Sequence, residues 1–377
     1  MSNFSPDEIS HYQRHLGLDK IGESGQEKLQ QSSILIVGVG GLGCPALQYL
    51  VAAGVGRIGI IDSDLVELSN LQRQILFTYD DIGKYKAETA KNKISRLNPH
   101  IKIEYFNDRL CAENIEERLE EYSIILDGSD NFETKYLLND ASVLFNKVLI
   151  YGSIFEFSAQ VSVFNYNNGP TYRCLFPEPP SANALPPCAE SGVLGVLPGI
   201  VGSIQANEAI KVITGIGDTL SGKLLLFDAL SLKTQFIQVN LRPESRNITS
   251  LAPINLKCAT SKDEDLGIQE IDPLTMIAMN ESGKTDLIID VRELWERELS
   301  KISPSIHIPL AHFEQPEKIE FPELISSSSH IILYCKAGVR SRMACKSLEA
   351  IGYKNLYNLS GGITEWGNTL NSQGLYQ

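Results

Sequence analysis

A glycine-rich turn near the N-terminus constrains the fold of this chain more than any other feature. The run Ser33–Gly40 (SILIVGVG) is typical of a buried parallel strand, and the turn Gly38–Gly43 (GVGGLG) leads from it into a helical stretch. Glycine lets the backbone approach a phosphate, and the N-terminus of the following helix offers N–H donors to it. Asp62 ends the next apolar run, where a carboxylate can accept hydrogen bonds from ribose hydroxyls. The pattern predicts a nucleotide site, although a dehydrogenase would show it too.

Strand and helix patterns alternate along the chain and predict an α/β fold with two domains. The first is a Rossmann-like, doubly wound sheet, and later strand-like runs with a single helix among them predict an antiparallel extension of that sheet. Residues 243–267 are polar, contain Pro243 and Pro253 and lack periodicity, which indicates a linker. The predicted domains are therefore residues 1–242 and a smaller α/β domain at residues 268–377.

Composition argues against several classes of partner. The formal net charge is −13 and no segment concentrates Lys and Arg, so nucleic acid and anionic membranes are poor candidates. No apolar run is long enough to span a membrane, and the seven cysteines are scattered rather than spaced as in a secreted disulfide framework. We expect a cytoplasmic protein, where an unusual cysteine is more often catalytic or metal-binding than bridged.

Two basic residues and an acid beyond the glycine turn favour ATP as the nucleotide. Attack at the α-phosphorus of ATP releases pyrophosphate, and this step needs cations to offset charge and an acid to hold Mg²⁺. Arg73, Lys86 and Asp130 supply these groups in the same domain. The chain has no GxxxxGKS or GxxxxGKT loop, which argues against an ATPase that cleaves the γ-phosphate.

Five short segments make the first domain resemble a known family. They are His11–Arg14 (HYQR), the glycine turn, Leu68–Gln74 (LSNLQRQ), Gly83–Lys86 (GKYK) and Asp127–Asn131 (DGSDN). On these motifs, residues 8–242 resemble the ubiquitin-activating-enzyme-like adenylyltransferases that serve the sulfur carriers of molybdopterin synthase and thiamine synthesis.

This resemblance implies an ATP site, a metal and a second subunit. The positions that correspond to the family's ATP contacts are Gly41, Asp62, Ser69, Asn70, Leu71, Gln72, Arg73, Lys86, Asp130 and Asn131. Asp130 would also hold Mg²⁺, and Arg14 would reach the site from a partner subunit, which implies a homodimer. The substrate would be a ubiquitin-like sulfur-carrier protein with a C-terminal Gly-Gly, because only a slim, flexible tail can thread to a buried phosphate.

Two cysteines of the first domain bear on sulfur transfer and on zinc. Cys188 lies in the segment PPCAESG, which predicts an ordered but accessible loop, and the resemblance implies a conjugating or sulfur-relay cysteine there. Relatives bind zinc through two CxxC pairs, but here Thr171 stands where one cysteine would accompany Cys174, and no pair follows Arg242. One thiol cannot hold a structural zinc, so we expect none and interpret Cys174 as a core or surface residue.

The second domain carries a cysteine in a short loop between a strand and a helix. This persulfide loop comprises Cys335, Lys336, Ala337, Gly338, Val339 and Arg340. Backbone N–H groups at such a helix N-terminus stabilise a thiolate or a persulfide, Gly338 permits the tight curl, and Arg340 adds positive charge. Cysteine phosphatases place five residues between the cysteine and the arginine, whereas four separate them here, and the smaller loop suits a single sulfur atom better than a phosphate.

The segments on either side of this loop make residues 268–377 resemble a rhodanese domain. They are Asp290–Arg292 (DVR) before it and Leu359–Trp366 (LSGGITEW) after it. The resemblance implies that Cys335 carries a persulfide, supplied by a cysteine desulfurase or by thiosulfate. Asp290 and Arg292 are expected to stabilise the domain rather than act on sulfur.

The two resemblances together imply an adenylyltransferase with sulfurtransferase activity. It would adenylate the C-terminal glycine of a carrier of the molybdopterin-synthase small-subunit type and then transfer the persulfide sulfur to give a thiocarboxylate. The expected catalytic residues are Arg14, Arg73, Lys86, Asp130, Cys188 and Cys335. Two alternatives remain, an NAD-linked persulfide oxidoreductase and a non-catalytic scaffold that binds a ubiquitin-like protein.

Overall fold

The computed structural model of this chain describes residues 4–179, 192–251, 268–319, 321–322 and 325–372. The chain divides into two compact units, Met1–Cys258 and Ala259–Gln377. This division falls within the predicted linker, of which residues 252–267 lie outside the described part.

One mixed sheet forms the centre of the first unit. Its strands within the described residues are β1 (Ser33–Val37), β2 (Arg57–Ile61), β3 (Lys102–Phe106), β4 (Ile124–Asp127), β5 (Val148–Phe155), β6 (Ser158–Phe164), β7 (Lys223–Asp228) and β8 (Lys233–Gln238). Their order is β3-β2-β1-β4-β5-β6-β7-β8, with parallel neighbours from β3 to β5 and antiparallel neighbours from β5 to β8. The predicted doubly wound sheet with an antiparallel extension is confirmed.

Helices cover both faces of the parallel part of this sheet. The described α-helices of the unit are α1 (Pro6–Leu16), α2 (Gly22–Gln31), α3 (Gly43–Ala53), α4 (Lys86–Ile94), α5 (Ile115–Leu119), α6 (Phe132–Leu144), α7 (Tyr172–Leu175) and α8 (Val196–Thr214). Short 3-10 turns lie at Leu68–Asn70, Tyr79–Asp81 and Pro243–Arg246.

Successive residues of β1 pack into two separate cores. Ile34 and Ile36 join the apolar cluster formed with α3 and α8, whereas Leu35 and Val37 join the one formed with α6. Side chains alternate between the two faces of a strand, so a parallel strand covered on both sides must be apolar throughout. Each such buried side chain stabilises the fold by about 1.5–3 kcal/mol.

The N-terminal helix α1 was not among the predicted elements, although its start has a readable signal. Ser5 is the N-cap: its hydroxyl accepts from the backbone N–H of Glu8, and the Glu8 carboxylate accepts from the backbone N–H of Ser5 at 2.8 Å. Pro6 follows at the first helical position, which favours a helix start.

A parallel sheet forms the centre of the second unit. Its described strands are β9 (Ile268–Ile271), β10 (Leu287–Asp290), β11 (Ile306–His307), β12 (His330–Tyr334) and β13 (Asn355–Leu359), in the order β11-β10-β12-β13-β9. The helices are α9 (Pro273–Glu281), α10 (Leu294–Leu299), α11 (Val339–Ala350) and α12 (Gly362–Ser372), with 3-10 turns at Leu310–Glu314 and Pro316–Lys318. Strand β9 was not predicted, and it pairs with β13 at the sheet edge.

A buried ion pair links the strands of the second unit to α10. The Asp290 carboxylate accepts from Arg292 Nε at 2.9 Å and Nη2 at 2.8 Å, and from the Tyr334 hydroxyl at 2.9 Å. Arg292 also donates to the backbone oxygens of Glu296 and Ser300. Arg297 Nη1 also lies 3.4 Å from Asp290 Oδ2, and these contacts all join described residues of the second unit, in keeping with the structural role expected for the pair.

Among the described helices, none combines the length and the apolar character needed to cross a membrane.

Candidate active sites

A cleft of about 360 Å³ lies at the carboxyl ends of β1, β2, β4 and β5 in the first unit. Ligands of open parallel sheets bind at this edge, so the position agrees with the nucleotide site expected from the sequence. Six of the predicted ATP-site residues line the cleft: Gly41, Asp62, Arg73, Lys86, Asp130 and Asn131.

Two glycine-containing loops touch each other on the floor of the cleft. Gly38, at the end of β1, has φ +85°, a conformation that side chains other than glycine rarely adopt. A Cβ at this position would lie 2.9 Å from the carbonyl oxygen of Gly128, and a Cβ at Gly128 would overlap the carbonyl oxygen of Gly38. The loops after β1 and β4 therefore lie so close together that a side chain at either glycine would clash with the backbone of the other loop.

Asp62 joins the glycine loop to the loop after β2. Its carboxylate accepts from the backbone N–H of Val39 and from that of Asp64, each at 2.9 Å. Burial raises the pKa of Asp62, and the nearby Lys86 ammonium opposes part of that rise. A carboxylate fixed in this way lines the cleft where a ribose hydroxyl could donate to it.

The two predicted cations are both among the residues that line the cleft. Lys86 begins α4, is only 6% exposed, and places Nζ 2.8 Å from Asp64 Oδ2. Arg73 Nη1 donates to the carbonyl oxygen of Ser69 at 3.1 Å. Both side chains line the cleft, so two positive groups face the space that the phosphates of a nucleotide would occupy.

Several predicted ATP contacts do not line the cleft in this structure. Ser69, Asn70 and Leu71 belong to the 3-10 turn at Leu68–Asn70 or follow it directly, and Gln72 Nε2 donates to the carbonyl oxygen of Val193. Their roles stay predictions.

Three further site predictions have separate outcomes. Asn131 lines the cleft, but its Oδ1 accepts from the backbone N–H of Thr134 and so caps α6. Arg14 is exposed on α1 and is not among the described residues that line the cleft. Cys188 lies outside the described residues.

Two residues of this site were missed from the sequence. Gln74 is 3% exposed and lines the cleft, and within the described part of the chain its Oε1 has no hydrogen-bond partner. Lys135, near the start of α6, lies beneath the cleft with its Nζ 2.8 Å from Asp127 Oδ2. Gln74 is the last residue of the LSNLQRQ motif, so that motif could have indicated a place for it in the site. Lys135 has no such signal, because its sequence surroundings are those of an ordinary helical lysine.

In the second unit, Cys335 lies at the end of β12 and is fully buried. Its Sγ accepts from the backbone N–H of Gly338 at 3.0 Å and from the Ser341 hydroxyl at 3.4 Å. Gly338 has φ +99°, and a Cβ there would lie 3.1 Å from the carbonyl oxygen of Leu359. The tight curl that the sequence predicted is present, and it directs donors at the sulfur.

The first turn of α12 holds the backbone of the persulfide loop. The backbone N–H of Ile363 donates to the Cys335 carbonyl, and the Thr364 hydroxyl donates to the Lys336 carbonyl, both at 2.9 Å. Both donors belong to the LSGGITEW segment on which the rhodanese resemblance rested in part. The segment therefore fixes the backbone of the cysteine loop.

Arg340, the last residue of the persulfide loop, pairs with a carboxylate of the same unit. Its guanidinium forms a bidentate ion pair with Glu296 of α10, at 2.7 and 2.9 Å, so the Glu296 carboxylate balances part of its positive charge. Burial pushes the pKa of Glu296 up, but hydrogen bonds from Arg340 and from the backbone of Glu293 outweigh burial and lower it. The backbone N–H of Gly338 and the hydroxyl of Ser341 donate to the sulfur, and the charge contribution of Arg340 stays a prediction.

Cys174 occupies one position of the first cysteine pair through which relatives bind zinc, and here it lies in a small hydrogen-bonded cluster. Its Sγ is 3.0 Å from Ser245 Oγ and accepts from the backbone N–H groups of Thr171 and Arg242, each at 3.3 Å. Burial raises the pKa of this thiol, but the hydrogen bonds outweigh burial and leave it below its ordinary value. The cluster has one sulfur ligand, and no group of three or more metal-ligating side chains occurs within the described residues.

These two sites define a class of protein with two units in one chain. One is an α/β unit with a cation-lined cleft suited to a nucleotide, and the other holds a cysteine at the N-terminus of a helix. Family models match both parts, the ThiF family at residues 12–248 and the rhodanese-like domain at residues 272–369. The chain belongs to the ThiF family and carries a rhodanese-like domain behind it.

Individual relatives are similar over almost the whole chain. MoeZ of Mycobacterium tuberculosis (strain ATCC 25618 / H37Rv), described as a probable adenylyltransferase/sulfurtransferase, is 39% identical over 373 residues, 97% of this chain and 94% of the relative. A probable molybdopterin-synthase adenylyltransferase of Porphyra purpurea is 38% identical over 379 residues, 100% of this chain and 97% of the relative. The crystal structure of E. coli MccB with AMPCPP and MccA matches with a TM-score of 0.56 over 64% of this chain and 74% of that one; at 22% identity it supports the fold alone.

Proposed function

We propose that this chain adenylates the C-terminal glycine of a ubiquitin-like sulfur carrier and then transfers to it the sulfur of a Cys335 persulfide. The observation that supports the first step is the grouping, in one cleft, of a glycine loop, the Asp62 carboxylate and the cations Arg73 and Lys86. The named relatives are adenylyltransferases, which favours this function over the NAD-linked oxidoreductase and the scaffold.

In the first step the carboxylate of the carrier's last glycine attacks the α-phosphorus of ATP. The bond to the bridging oxygen breaks, and pyrophosphate leaves with the electron pair. Arg73 and Lys86 would offset the negative charge that builds on the phosphates. Lys86 pairs with Asp64 in the free protein, so its ammonium is held at the cleft before the nucleotide arrives.

The residues present also fit a magnesium ion. Mg²⁺ usually binds through one or two carboxylates together with substrate phosphates. Asp130 suits that arrangement, because its exposed carboxylate lines the cleft and makes no hydrogen bond to the rest of the described chain. The ion would neutralise part of the phosphate charge.

In the second step the outer sulfur of the Cys335 persulfide attacks the acyl-adenylate carbonyl. AMP leaves, and the carrier is joined to Cys335 through an acyl disulfide. A second thiol then attacks the Cys335 sulfur, so that the carrier thiocarboxylate leaves with the electron pair and a disulfide forms. Cys188 is our candidate for this thiol, or for a relay between Cys335 and the carrier. The persulfide also places the reacting sulfur about 2 Å beyond the buried Cys335 Sγ.

The source of the persulfide sulfur is part of the proposal. After each cycle an external thiol reductant would cleave the Cys335 disulfide and release the Cys335 thiolate. A cysteine desulfurase persulfide or thiosulfate would then transfer its outer sulfur to this thiolate, with the donor thiol or sulfite as the leaving group, and so restore the Cys335 persulfide. We also propose a cytoplasmic location, because the five cysteines Cys44, Cys111, Cys174, Cys335 and Cys345 of the described residues are free thiols.

We propose further that the active form is a homodimer in which Arg14 acts on the partner's cleft. Arg14 is exposed on α1 and does not line the described part of its own cleft. A groove of about 840 Å³ between α3 and α8 exposes the apolar side chains of Tyr49, Ile75, Leu97 and Val196. Such a surface suits a second copy of the chain.

Pyrophosphate exchange into ATP tests the adenylation. Wild-type protein with a carrier of the molybdopterin-synthase small-subunit type should exchange labelled pyrophosphate, and Lys86→Met should not. Tightly bound NAD and no exchange would refute the proposal.

Mixing two inactive variants tests the trans role of Arg14. Arg14→Ala and Lys86→Met each lack one group at every site, but a mixed dimer has one complete site if Arg14 acts in trans. An equal mixture should regain about a quarter of the wild-type exchange rate after subunits are allowed to reassort. A mixture as inactive as its parents would place Arg14 in its own cleft or outside the reaction.

A further inference from the structure

A buried lysine lies directly beneath the nucleotide cleft. Lys135 is 4% exposed, and its Nζ donates to Asp127 Oδ2 at 2.8 Å, to the Ser129 carbonyl at 3.0 Å and to the Gly152 carbonyl at 2.9 Å. An ammonium group has three protons, so all of its donors are used. We refer to Lys135, Asp127, Ser129, Gly152 and Gln205 as the floor network.

The floor network bridges two strands at the point where they separate. The hydrogen-bonded ladder between β4 and β5 ends one residue before Asp127. From α6, Lys135 joins Asp127 to Gly152 across this gap; from α8, Gln205 Nε2 donates to the Asp127 carbonyl at 2.7 Å and to the Ile150 carbonyl at 3.4 Å. One side chain from each side of the sheet therefore holds the end of β4 to the middle of β5.

The same network fixes the turn that carries Asp130. The second oxygen of the Asp127 carboxylate accepts from the Ser129 backbone N–H at 2.9 Å and from the Ser129 hydroxyl at 2.6 Å. Gly128, inside this turn, packs against the carbonyl oxygen of Gly38. A shift of the Asp127 carboxylate would consequently move both Asp130 and the glycine loop.

We propose that Lys135 is a positioning residue for adenylation, which it serves by holding the Asp127–Asp130 turn and the Gly152 backbone of β5 in their reactive places. This inference rests on the proposed adenylation. A buried ion pair often adds no more stability than well-packed apolar side chains would. Stability alone therefore does not account for an ammonium that joins the end of β4 to the middle of β5 under a cleft, whereas a need for fixed geometry does.

Three variants separate positioning from general stability. Lys135→Met keeps the length of the side chain and removes the charge, and Lys135→Arg keeps a cation. Arg173→Met is the matched control, because Arg173 forms a bidentate pair with Asp140 on the same helix α6, and neither residue lines the described cleft. Each full-length variant is assayed for thermal unfolding, and for kcat, KM for ATP and the Mg²⁺ concentration that gives half-maximal pyrophosphate exchange.

We expect Lys135→Met to lower kcat per folded molecule about tenfold or more and to raise the Mg²⁺ requirement, because Asp130 is displaced. Lys135→Arg should recover most of kcat, and Arg173→Met should lose thermal stability while keeping kcat and the Mg²⁺ requirement. If Lys135→Met does not fold, Ser129→Ala removes one hydrogen bond of the network and should raise the Mg²⁺ requirement by itself.

The positioning role would be overturned if a folded Lys135→Met had the kcat and Mg²⁺ dependence of the wild type. If Lys135→Met does not fold, the same result in Ser129→Ala would overturn it. Equal losses of kcat in Lys135→Met and Arg173→Met would overturn it as well. A wild-type protein that exchanges no pyrophosphate would overturn the proposed adenylation and this inference with it. The wild-type measurement thus distinguishes the two failures.

Discussion

A single methyl group at Gly38 tests whether the two loops of the cleft are held together as the structure shows. In Gly38→Ala, the new side chain must adopt φ +85°, which costs about 1–3 kcal/mol for a residue other than glycine. Its Cβ would also lie 2.9 Å from the Gly128 carbonyl oxygen. A carbon and an oxygen normally approach to about 3.3 Å, so the loops must separate by about 0.4 Å.

The expected result is a loss of both stability and rate. Misplacement of reacting groups by about 1 Å can lower a rate about 10²-fold, so we expect pyrophosphate exchange to fall between about tenfold and a hundredfold. Calorimetry of the full chain gives the stability, and exchange per folded molecule gives the rate. Gly40→Ala is the control for stability, because its Cβ would meet only Gln74 Nε2, at an ordinary 3.6 Å. Wild-type exchange in Gly38→Ala would refute the close packing of the two loops and its role in the reaction.

The remaining predictions concern the second unit. Cys335→Ser should abolish thiocarboxylate formation, detected by intact mass spectrometry of the carrier, but leave pyrophosphate exchange unchanged; loss of both would show that the two steps are not separable. Arg292→Met should destabilise the second unit by at most about 3–5 kcal/mol, because the buried Asp290 carboxylate loses its main partner but keeps Arg297 at 3.4 Å and the Tyr334 hydroxyl. The only tryptophans of the sequence, Trp295 and Trp366, both belong to this unit, so their fluorescence reports its unfolding within the full chain; denaturant midpoints as in wild type would contradict the prediction. Burial pushes the pKa of Asp290 up, but hydrogen bonds from Arg292 and Tyr334 together with the Arg292 charge outweigh burial and lower it. This stabilisation is therefore complete above the unfolded value of about 3.9 and is lost as pH falls through the folded one. A fluorescence-detected unfolding series between pH 7 and pH 2 should show that loss in wild type but much less of it in Arg292→Met.

Much of the fold was predictable because both sheets are built on local patterns. The buried parallel strands are continuous apolar runs, such as Ser33–Val37, and the glycine turn marks where the first of them ends. Strand β9 escaped prediction because Ile268–Ile271 has one buried side chain at a sheet edge and follows a polar stretch. Helix α1 was not predicted, although Ser5 as N-cap and Pro6 at the first helical position are signals of a helix start.

In the candidate sites, only the residues that belong to recognisable motifs could be predicted from the sequence. Spacing placed Asp62, Arg73 and Lys86 in one domain, and the structure brings all three to the cleft. It could not show that Gln72 turns to Val193 instead, because the direction of a side chain depends on the turn that carries it.

Side-chain contacts between residues that are far apart along the chain could not be predicted from the sequence. Lys135 bonds to a strand end and a neighbouring strand, and Arg340 bonds to Glu296, 44 positions away. A lysine or an arginine on a helix is more often solvated than paired in this way, so no local signal reveals either contact.

The central claim is that the cleft transfers AMP from ATP to a carrier's terminal carboxylate. Intact mass spectrometry of the carrier tests it most directly, after incubation of the Cys335→Ser protein with ATP, magnesium and a Gly-Gly-ended carrier of the molybdopterin-synthase small-subunit type. The account predicts a carrier heavier by one AMP residue, absent when Lys86→Met is used or when the carrier lacks its last glycine. A carrier that stays unmodified, or one that gains AMP without its last glycine, would contradict it.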